Sequence, residues 1–319
     1  MSEKLLRISS LKTYYFSRKS VIKAVDDVSL EISRGEMVGL VGESGSGKST
    51  LGLSIVKLVP PPGKIIDGRI ILDGKDILKL SDKELRKIRG KRIGMIFQDP
   101  LTCLDPLRRI GDQIVETILT HLRIDKEDAR EIAMKTLERV GIPSDRIDNY
   151  PHQLSGGMRQ RAMIAMSIAL DPELLIADEP TTALDVVVQS RIMDLLEDLR
   201  TERNMSILLI THDLALVIER SNRVVIMYGG KVCEIGLVKD IAEDPLHPYT
   251  KLLLQSIPDI EKIKTELKPI PGSPPDMRNP PPGCRFWPRC PYTLERCKDT
   301  EPNLTIIEGR VVACHLYRG

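Results

Sequence analysis

The sequence predicts an α/β fold with a mostly parallel sheet built around a phosphate-binding loop. Three observations support this fold class. The stretch Gly42 to Thr50 fits the phosphate-loop pattern G-x-x-x-x-G-K-[ST]. The apolar run Met37 to Val41 precedes it as a strand, and Lys48 to Leu58 follows it as a helix. A second apolar run, Leu174 to Glu179, ends in two carboxylates, as a buried parallel strand does where it meets a ligand crevice.

Length and composition bound the possible functions. At 319 residues the chain can hold one sizeable core with an appendage, or two domains. The net charge is +2, and acids interleave with bases, as in Asp82 to Arg92, which favours a solvated surface over a nucleic-acid-binding face. No apolar stretch is long enough to span a bilayer, and Met1 to Ser10 has no signal-peptide core, so we expect a cytosolic chain. Its six cysteines are then expected to be reduced or metal-bound.

The segments on either side of the phosphate loop predict an antiparallel β portion. Leu5 to Ile8 and Val25 to Ile32 alternate apolar and polar residues, which is typical of half-buried strands. A hairpin-like segment, Gly68 to Gly74, comes after the loop. Three consecutive aromatic residues stand at Tyr14 to Phe16, and we interpret them as a stacking surface for adenine. The alternative is that these rings fill the edge of the sheet.

The phosphate loop is expected to bind a nucleotide and its magnesium ion. Its glycines let the backbone approach a phosphate, so that N–H groups form an anion nest at the positive end of the next helix. Lys48 would reach the β and γ phosphates, and the Ser49 hydroxyl would bind Mg²⁺. The predicted nucleotide contacts in the loop are Gly42, Ser44, Gly45, Ser46, Gly47, Lys48, Ser49 and Thr50.

A helical insert is expected from about Gln98 to Gly157. Two helical patterns, Ile110 to Leu122 and Lys126 to Val140, occur in it, and no strand pattern returns until Leu174. Gln98 directly follows a predicted strand, so its amide oxygen could bind Mg²⁺ and lose that contact when the loop moves. An ordinary surface glutamine is the alternative.

The insert ends in a turn with two interpretations. Ser155, Gly156 and Gly157 stand directly before a long helix that ends near Leu170. A serine followed by two glycines at a helix start can bind an anion through its hydroxyl and through free N–H groups. The same residues can simply cap the helix, and their spacing does not distinguish the two roles.

The polar residues at the ends of two later strands are assigned separate roles. Asp178 and Glu179 point to opposite sides because they are neighbours in a strand. We assign Asp178 to Mg²⁺ through water, and Glu179 to orienting and polarising the attacking water. The next strand, Ser206 to Ile210, leads to His212 at the same edge, so this histidine could reach the γ-phosphate. A buried histidine that donates to a backbone carbonyl is the alternative.

Taken together, these stretches resemble the ATP-binding cassette (ABC) family, the nucleotide-binding subunits of ABC transporters. The resemblance covers about Leu5 to Gly236. It implies a P-loop NTPase core of the RecA-like type, with an antiparallel β subdomain and an inserted helical subdomain. By this resemblance Tyr15 is the adenine-stacking aromatic, and Gln98, which also contacts ATP, belongs to the Q-loop. The residues then assigned to catalysis are Lys48, Gln98, Glu179 and His212, and those assigned to Mg²⁺ are Ser49, Gln98 and Asp178.

The same resemblance accounts for the second anion-binding turn. In the family two cassettes pack head to tail, so that the serine-glycine-glycine turn of one closes over the ATP held by the other. One chain is then half an enzyme, and its partner is a copy or a related ATPase. Met158 stands where the family usually has glutamine, while the Ser-Gly-Gly core is intact. The residues expected to act in trans are Ser155, Gly156, Gly157, Met158 and, in the D-loop at Ala183 to Asp185, Asp185.

The C-terminal part narrows the resemblance. His247 to Leu253, Pro271 to Pro275 and Gly283 to Pro291 resemble the C-terminal region of oligopeptide and dipeptide importers, and the second segment resembles the D-type ATPase of that system. We expect a cassette domain over residues 1–240 and an extension over residues 241–319. Nickel importers share much of this pattern, so a nickel or other small-solute importer stays open. A soluble ABC ATPase that acts on nucleic acid is a further alternative.

The implied function is ATP hydrolysis that powers uptake of dipeptides and oligopeptides, at the cytoplasmic face of the cell membrane. The implied partners are a second ABC ATPase and two membrane permease subunits, which would dock against the helical insert and the Gln98 loop. An extracytoplasmic peptide-binding protein would act indirectly, and no nucleic acid is expected. ATP and Mg²⁺ are the implied cofactors.

Four cysteines predict a metal site in the extension. This segment is dense in proline and lacks apolar periodicity, so a bound metal would substitute for a core. Structural zinc usually uses close C-x2-4-C pairs, which are absent. Separated thiolates suit a [4Fe–4S] cluster, which the resemblance to some peptide-importer ATPases also implies. Zinc, or no metal, is the alternative. The cysteines are Cys284, Cys290, Cys297 and Cys314.

Overall fold

The computed structural model describes residues 3–99, 103–181, 185–257 and 270–317. The strands are β1 (Lys4–Phe16), β2 (Val21–Ser33), β3 (Met37–Val41), β4 (Gly63–Leu72), β5 (Lys75–Asp76), β6 (Ile93–Ile96), β7 (Leu174–Asp178), β8 (Ser206–Thr211), β9 (Arg223–Tyr228), β10 (Lys231–Leu237), β11 (Thr305–Ile307) and β12 (Arg310–Val312). The helices are α1 (Lys48–Ile55), α2 (Asp82–Ile88), α3 (Ile110–His121), α4 (Lys126–Arg139), α5 (Gly156–Ile168), α6 (Val186–Arg203), α7 (Leu214–Arg220), α8 (Val238–Glu243) and α9 (Pro248–Gln255). Within the described ranges every helix is too short or too polar to cross a bilayer.

The chain forms two compact units, each made of segments that are distant in sequence. The phosphate-loop unit comprises Lys4–Ile32, Met37–Leu78 and Leu209–Gly319. The carboxylate unit comprises Met1–Glu3, Ser33–Glu36 and Lys79–Leu208.

Strands of the phosphate-loop unit lie in two sheets. One has the order β2-β1-β4-β5, with β1 and β4 antiparallel from Leu6 opposite Leu72 to Tyr15 opposite Gly63. This confirms the antiparallel β subdomain. In the other sheet β3 runs parallel to β9, and β10 is antiparallel to β9. The extension then adds β12 beside β10 and β11 beside β12.

Strand β3, which leads into the phosphate loop, is completely buried. All five of its residues are apolar or glycine and lie in the core. At Gly39 a Cβ atom would lie 2.2 Å from Cγ1 of Val217 in α7, so the helix packs directly on the strand backbone. This contact fixes the strand from which the loop departs.

In the carboxylate unit β6 and β7 are parallel, with Ile93 opposite Leu174 and Ile96 opposite Ala177. Between them in the chain, the described residues form α3, α4, α5 and short 3₁₀ turns, with no strand, which confirms the helical insert. Helix α5 packs on β6, since the Ser167 hydroxyl donates to the carbonyl of Met95 at 2.8 Å.

Several boundaries differ from those expected. Strand β1 extends from Lys4 to Phe16, because nearly its whole length pairs with β4, so the aromatic run lies inside a strand. The helix after the phosphate loop ends at Ile55 rather than at Leu58, since Lys57 takes a left-handed backbone conformation with φ 54°. In contrast, α4 stops where expected, before Gly141 with φ 72°.

Candidate functional site

Two glycines give the phosphate loop its shape. Gly47 caps α1 with φ 99°, and a Cβ atom there would lie 1.9 Å from the carbonyl oxygen of Ala24. At Gly42 a Cβ atom would lie 2.1 Å from the carbonyl oxygen of Met227. Any side chain at either position would meet backbone that cannot move aside, so the loop requires glycine at both.

The Lys48 ammonium group is held by the loop itself. Its Nζ donates to the carbonyl oxygens of Gly42 at 2.6 Å and Glu43 at 3.0 Å, and to the Ser46 hydroxyl at 3.4 Å. Lys48 is 6% exposed, while Ser44 and Gly45 at the tip of the loop are exposed. The ammonium group therefore already has oxygen atoms as partners. In a nucleotide complex, phosphate oxygens would take the place of some of them. Ser49 and Thr50 are half-buried at the start of α1.

Tyr15 lies beside the helix that the phosphate loop opens. It is half-buried in β1, and its hydroxyl is 3.4 Å from the Thr50 hydroxyl. The ring is part of a strand and still partly accessible, so it could contact a base. Adenine stacking itself stays a prediction.

His212 is exposed directly after β8. The alternative that it is a buried structural histidine is therefore wrong. An accessible imidazole suits the predicted contact with a γ-phosphate, which no contact in the structure tests.

The carboxylate unit brings Gln98 and Glu179 together. The Gln98 Nε2 donates to the Glu179 carboxylate at 3.0 Å. Glu179 has φ 48°, a left-handed conformation that costs a non-glycine residue about 1–3 kcal/mol. The preceding residue, Asp178, is the last residue of β7 and is 4% exposed. Their separate environments agree with separate roles, although the predicted Mg²⁺ contacts of Gln98 and Asp178 stay predictions.

The Ser155 turn caps its helix. The Ser155 hydroxyl accepts a hydrogen bond from the Met158 N–H at 3.3 Å. Ser155 and Gly156 are exposed, and Gly157 is half-buried. A Cβ atom at Gly156 would meet nothing within 4 Å. The capping role is therefore present in the single chain, and anion binding by this turn stays a prediction.

A neighbouring surface carries the other residue predicted to act in trans. Asp185 is exposed and caps α6, accepting from the Val188 N–H at 2.9 Å. The next two residues, Val186 and Val187, are 82% and 61% exposed. Two adjacent apolar side chains in water suit a surface that another protein covers. Ala183, also placed in the D-loop, lies outside the described residues.

Sequence reasoning missed the role of Gln160. This buried side chain donates from Nε2 to the carbonyl oxygen of Pro180 at 2.6 Å, next to Glu179. It therefore ties the helix that begins at the Ser155 turn to the end of the carboxylate strand. A buried amide in an apolar helix is a weak signal, because such groups commonly satisfy a backbone carbonyl.

In the phosphate-loop unit, Arg285 anchors the extension to β2. It is 5% exposed, forms an ion pair with Asp26 and donates to the carbonyl of Gly229. Burial opposes ionisation of Asp26, but Tyr14, Lys231 and Arg285 hold the pKa of its carboxyl below the usual range. The extension is thus fastened by a charged contact that is removed from water.

Cys284 is the first of the four cysteines predicted to bind metal, and it is partly buried. Burial, with smaller contributions from Cys297, Cys314 and Cys290, raises the pKa of Cys284 to about 12. Burial likewise raises the pKa of Cys314 to about 11. These thiols are therefore protonated at neutral pH in the chain alone. Across the described residues, no three His, Cys, Asp or Glu side chains are arranged to hold a metal ion, so the predicted metal site is not shown.

Family comparisons match two parts of the chain. Residues 25–182 match the ABC transporter model, and residues 233–297 match the model of the oligopeptide/dipeptide transporter C-terminal region. The oligopeptide transport ATP-binding protein AppD of Bacillus subtilis (strain 168) is 50% identical over 317 residues, which cover 98% of this chain and 97% of AppD. The dipeptide transport ATP-binding protein DppD of the same strain is 46% identical, covering 98% of this chain and 95% of DppD.

A solved structure matches the fold. It is the dimeric post-hydrolysis state of the ATP-binding cassette MJ0796 bound to ADP and Pi, with a TM-score of 0.67 and 31% identity. The match covers 73% of this chain and 98% of that chain. The P-loop ABC fold expected from the sequence is therefore confirmed. The chain belongs to the ABC transporter family, as an ATP-binding subunit that carries the oligopeptide/dipeptide transporter C-terminal region.

Proposed function

We propose that this chain hydrolyses ATP to drive import of dipeptides and oligopeptides through separate permease subunits, at the cytoplasmic face of the membrane. The observation that carries this proposal is the phosphate loop, with Lys48 held among oxygen atoms, in one compact unit with a peptide-transporter C-terminal region. The names of AppD and DppD, which describe peptide transport by those relatives, support the cargo class. The division into a cassette domain and an extension after residue 240 is part of the proposal.

The predicted site residues would supply complementary chemistry. Phosphoryl transfer to water needs positioning and charge neutralisation rather than a covalent intermediate. Lys48 and the loop N–H groups take the phosphates, and Ser49, Asp178 and Gln98 are the oxygen ligands proposed for Mg²⁺. Glu179 accepts a proton from the attacking water. For His212 we propose contact with the γ-phosphate.

We also propose that the ATP-binding site is completed in trans, by residues from a second cassette. Ser155, Gly156, Gly157, Met158 and Asp185 would meet the ATP bound by a second cassette, either a copy of this chain or a related ATPase. Exposure of the Ser155 turn and of Val186 and Val187 supports this role, because these groups are available to a partner. The dimeric state of the MJ0796 cassette supports the same arrangement.

Reconstitution with its membrane partners tests this function. The chain, its second ATPase and two permease subunits would be purified together in lipid discs, with the extracytoplasmic binding protein added. Peptide-loaded binding protein is expected to stimulate ATP hydrolysis, measured as phosphate release, because transport and hydrolysis are coupled. Stimulation by nickel alone would assign a nickel importer instead. DNA-stimulated hydrolysis without permeases would overturn the proposal.

We further propose that Cys284, Cys290, Cys297 and Cys314 hold a [4Fe–4S] cluster. Burial raises the pKa of the first, second and fourth thiols, while the backbone N–H two residues later, that of Phe286, Tyr292 or Leu316, acts in the opposite direction. Such donors stabilise negative charge on cysteine sulfur and tune cluster potentials. When bound, the cluster would cross-link a segment with little core. Loading would displace the thiol protons, since metals bind thiolates.

Anaerobic purification tests the cluster. The wild-type chain is expected to be brown and to contain about four iron atoms per chain. Cys290→Ser should lose the colour and most of the iron, because one thiolate ligand is missing. Cys103→Ser, outside the extension, serves as the control and should keep both. A colourless wild-type preparation with stoichiometric zinc would contradict the proposal.

A further inference from the structure

Arg289, in the extension, uses its complete set of hydrogen-bond donors. Its Nη1 and Nη2 donate to the two carboxylate oxygens of Glu43 at 2.6 and 3.0 Å. Its Nε donates to the carbonyl of Pro271 at 2.7 Å, Nη1 also donates to the Tyr228 hydroxyl at 3.1 Å, and Nη2 to the carbonyl of Ile270 at 3.3 Å. A guanidinium group has five N–H donors, so all of them are satisfied.

The acceptor of this fork, Glu43, is the second residue of the phosphate loop. Its N–H donates to the Tyr249 hydroxyl at 2.9 Å, and its carbonyl accepts from Lys48 at 3.0 Å and from the Ser46 N–H at 3.2 Å. The side chain of Arg289 is 5% exposed and that of Glu43 is 23% exposed, so water screens the pair only weakly. Two residues of the extension, Arg289 and Tyr249, therefore fix the backbone and side chain of Glu43.

A carboxylate in a phosphate-binding loop is expected to weaken the binding of an anionic ligand. The triphosphate is strongly anionic, and a like charge within the same loop repels it. Arg289 offsets the charge of Glu43 through a bidentate contact, the strongest form of carboxylate pairing. Without the guanidinium group, Glu43 would lie half-buried and uncompensated beside the anion site.

We propose that Arg289 is a positioning residue for ATP binding, which neutralises Glu43 and holds the phosphate loop in its binding conformation. This inference rests on the proposed function. It makes the C-terminal extension a part of the nucleotide site, although Arg289 lies 246 residues after Glu43 in the sequence.

The test measures ATP affinity of the full chain with a fluorescent ATP analogue, together with KM and kcat for hydrolysis. Arg289→Ala is expected to raise Kd and KM for ATP about tenfold with a much smaller change in kcat, because an uncompensated charge acts on binding. Arg289→Gln keeps hydrogen-bond donors but loses the charge, and should weaken binding to a similar extent. It provides the second variant if the alanine variant does not fold. Arg278→Ala is the control, since Arg278 is exposed in the same extension and pairs with Asp276.

Rescue separates charge neutralisation from a general structural role. Adding Glu43→Gln to Arg289→Ala is expected to restore most of the ATP affinity, because the unpaired carboxylate is gone. A merely structural arginine would not be rescued in this way. Melting temperature and iron content would be measured for every variant, since Arg289 precedes Cys290. Wild-type affinity in both Arg289 variants, or no gain in the double variant, would overturn the inference. A wild-type chain that does not bind ATP would overturn the proposed function as well.

Discussion

Replacing Glu179 with glutamine is expected to leave ATP binding intact and to slow hydrolysis by about 10²- to 10⁴-fold, the usual contribution of a general base. Glutamine has nearly the same shape and can still accept a hydrogen bond from Gln98, but its amide cannot take a proton from water. ATP would therefore stay bound, and dimers closed over it should accumulate. Phosphate release and size-exclusion chromatography with ATP and Mg²⁺ would measure both effects.

An exposed glutamate of the same unit provides the control. Glu202 lies on the surface of α6, so Glu202→Gln changes the same charge without a predicted catalytic role. This variant is expected to hydrolyse ATP at the wild-type rate and to show no excess dimer. Wild-type turnover in Glu179→Gln would remove Glu179 from its role as base.

Alanine at Gly47 is expected to weaken ATP binding by more than about 100-fold, or about 2.7 kcal/mol. The new Cβ atom would lie 1.9 Å from the carbonyl oxygen of Ala24, and φ 99° is unfavourable for any residue with a side chain. The backbone at the start of α1 must move, which displaces the N–H groups and Lys48 together. Equilibrium binding of a fluorescent ATP analogue would measure the loss.

Gly74 offers a matched control for this substitution. It has φ 77° in the turn between β4 and β5, and a Cβ atom there would meet nothing within 4 Å. Gly74→Ala therefore tests the backbone strain alone, and it should bind ATP as the wild type does. Equal ATP affinity in the two alanine variants would show that the close approach at Gly47 does not shape the binding loop.

Local motifs made the phosphate loop and its flanking strand and helix predictable from sequence. The phosphate loop, its strand and its helix are contiguous, so the pattern of residues from Met37 to Ile55 contains their geometry. The helical insert was equally accessible, because apolar periodicity marks α3 and α4. In both cases the pattern lies within a short, contiguous stretch of the sequence.

Contacts between distant segments were not predictable. Nothing near Glu43 in the sequence indicates that Arg289 pairs with it, and the hydrogen bond from Gln98 to Glu179 joins two loops that follow different strands. The length of β1 likewise depends on its partner β4. The sequence also predicted a metal site at four cysteines, but the spacing of residues along the chain does not give the distances between their sulfur atoms. That site is still a proposal.

The last two strands have a consequence for shortened forms of the protein. Because β12 pairs with β10 at Glu234 and Ile235, a chain truncated before Thr305 would leave the outer side of β10 with open backbone donors and acceptors. Such an edge is a template for strand addition by another molecule. In the intact chain the three-residue strand β11 forms this edge of the sheet instead, and so short an edge strand offers little template for pairing.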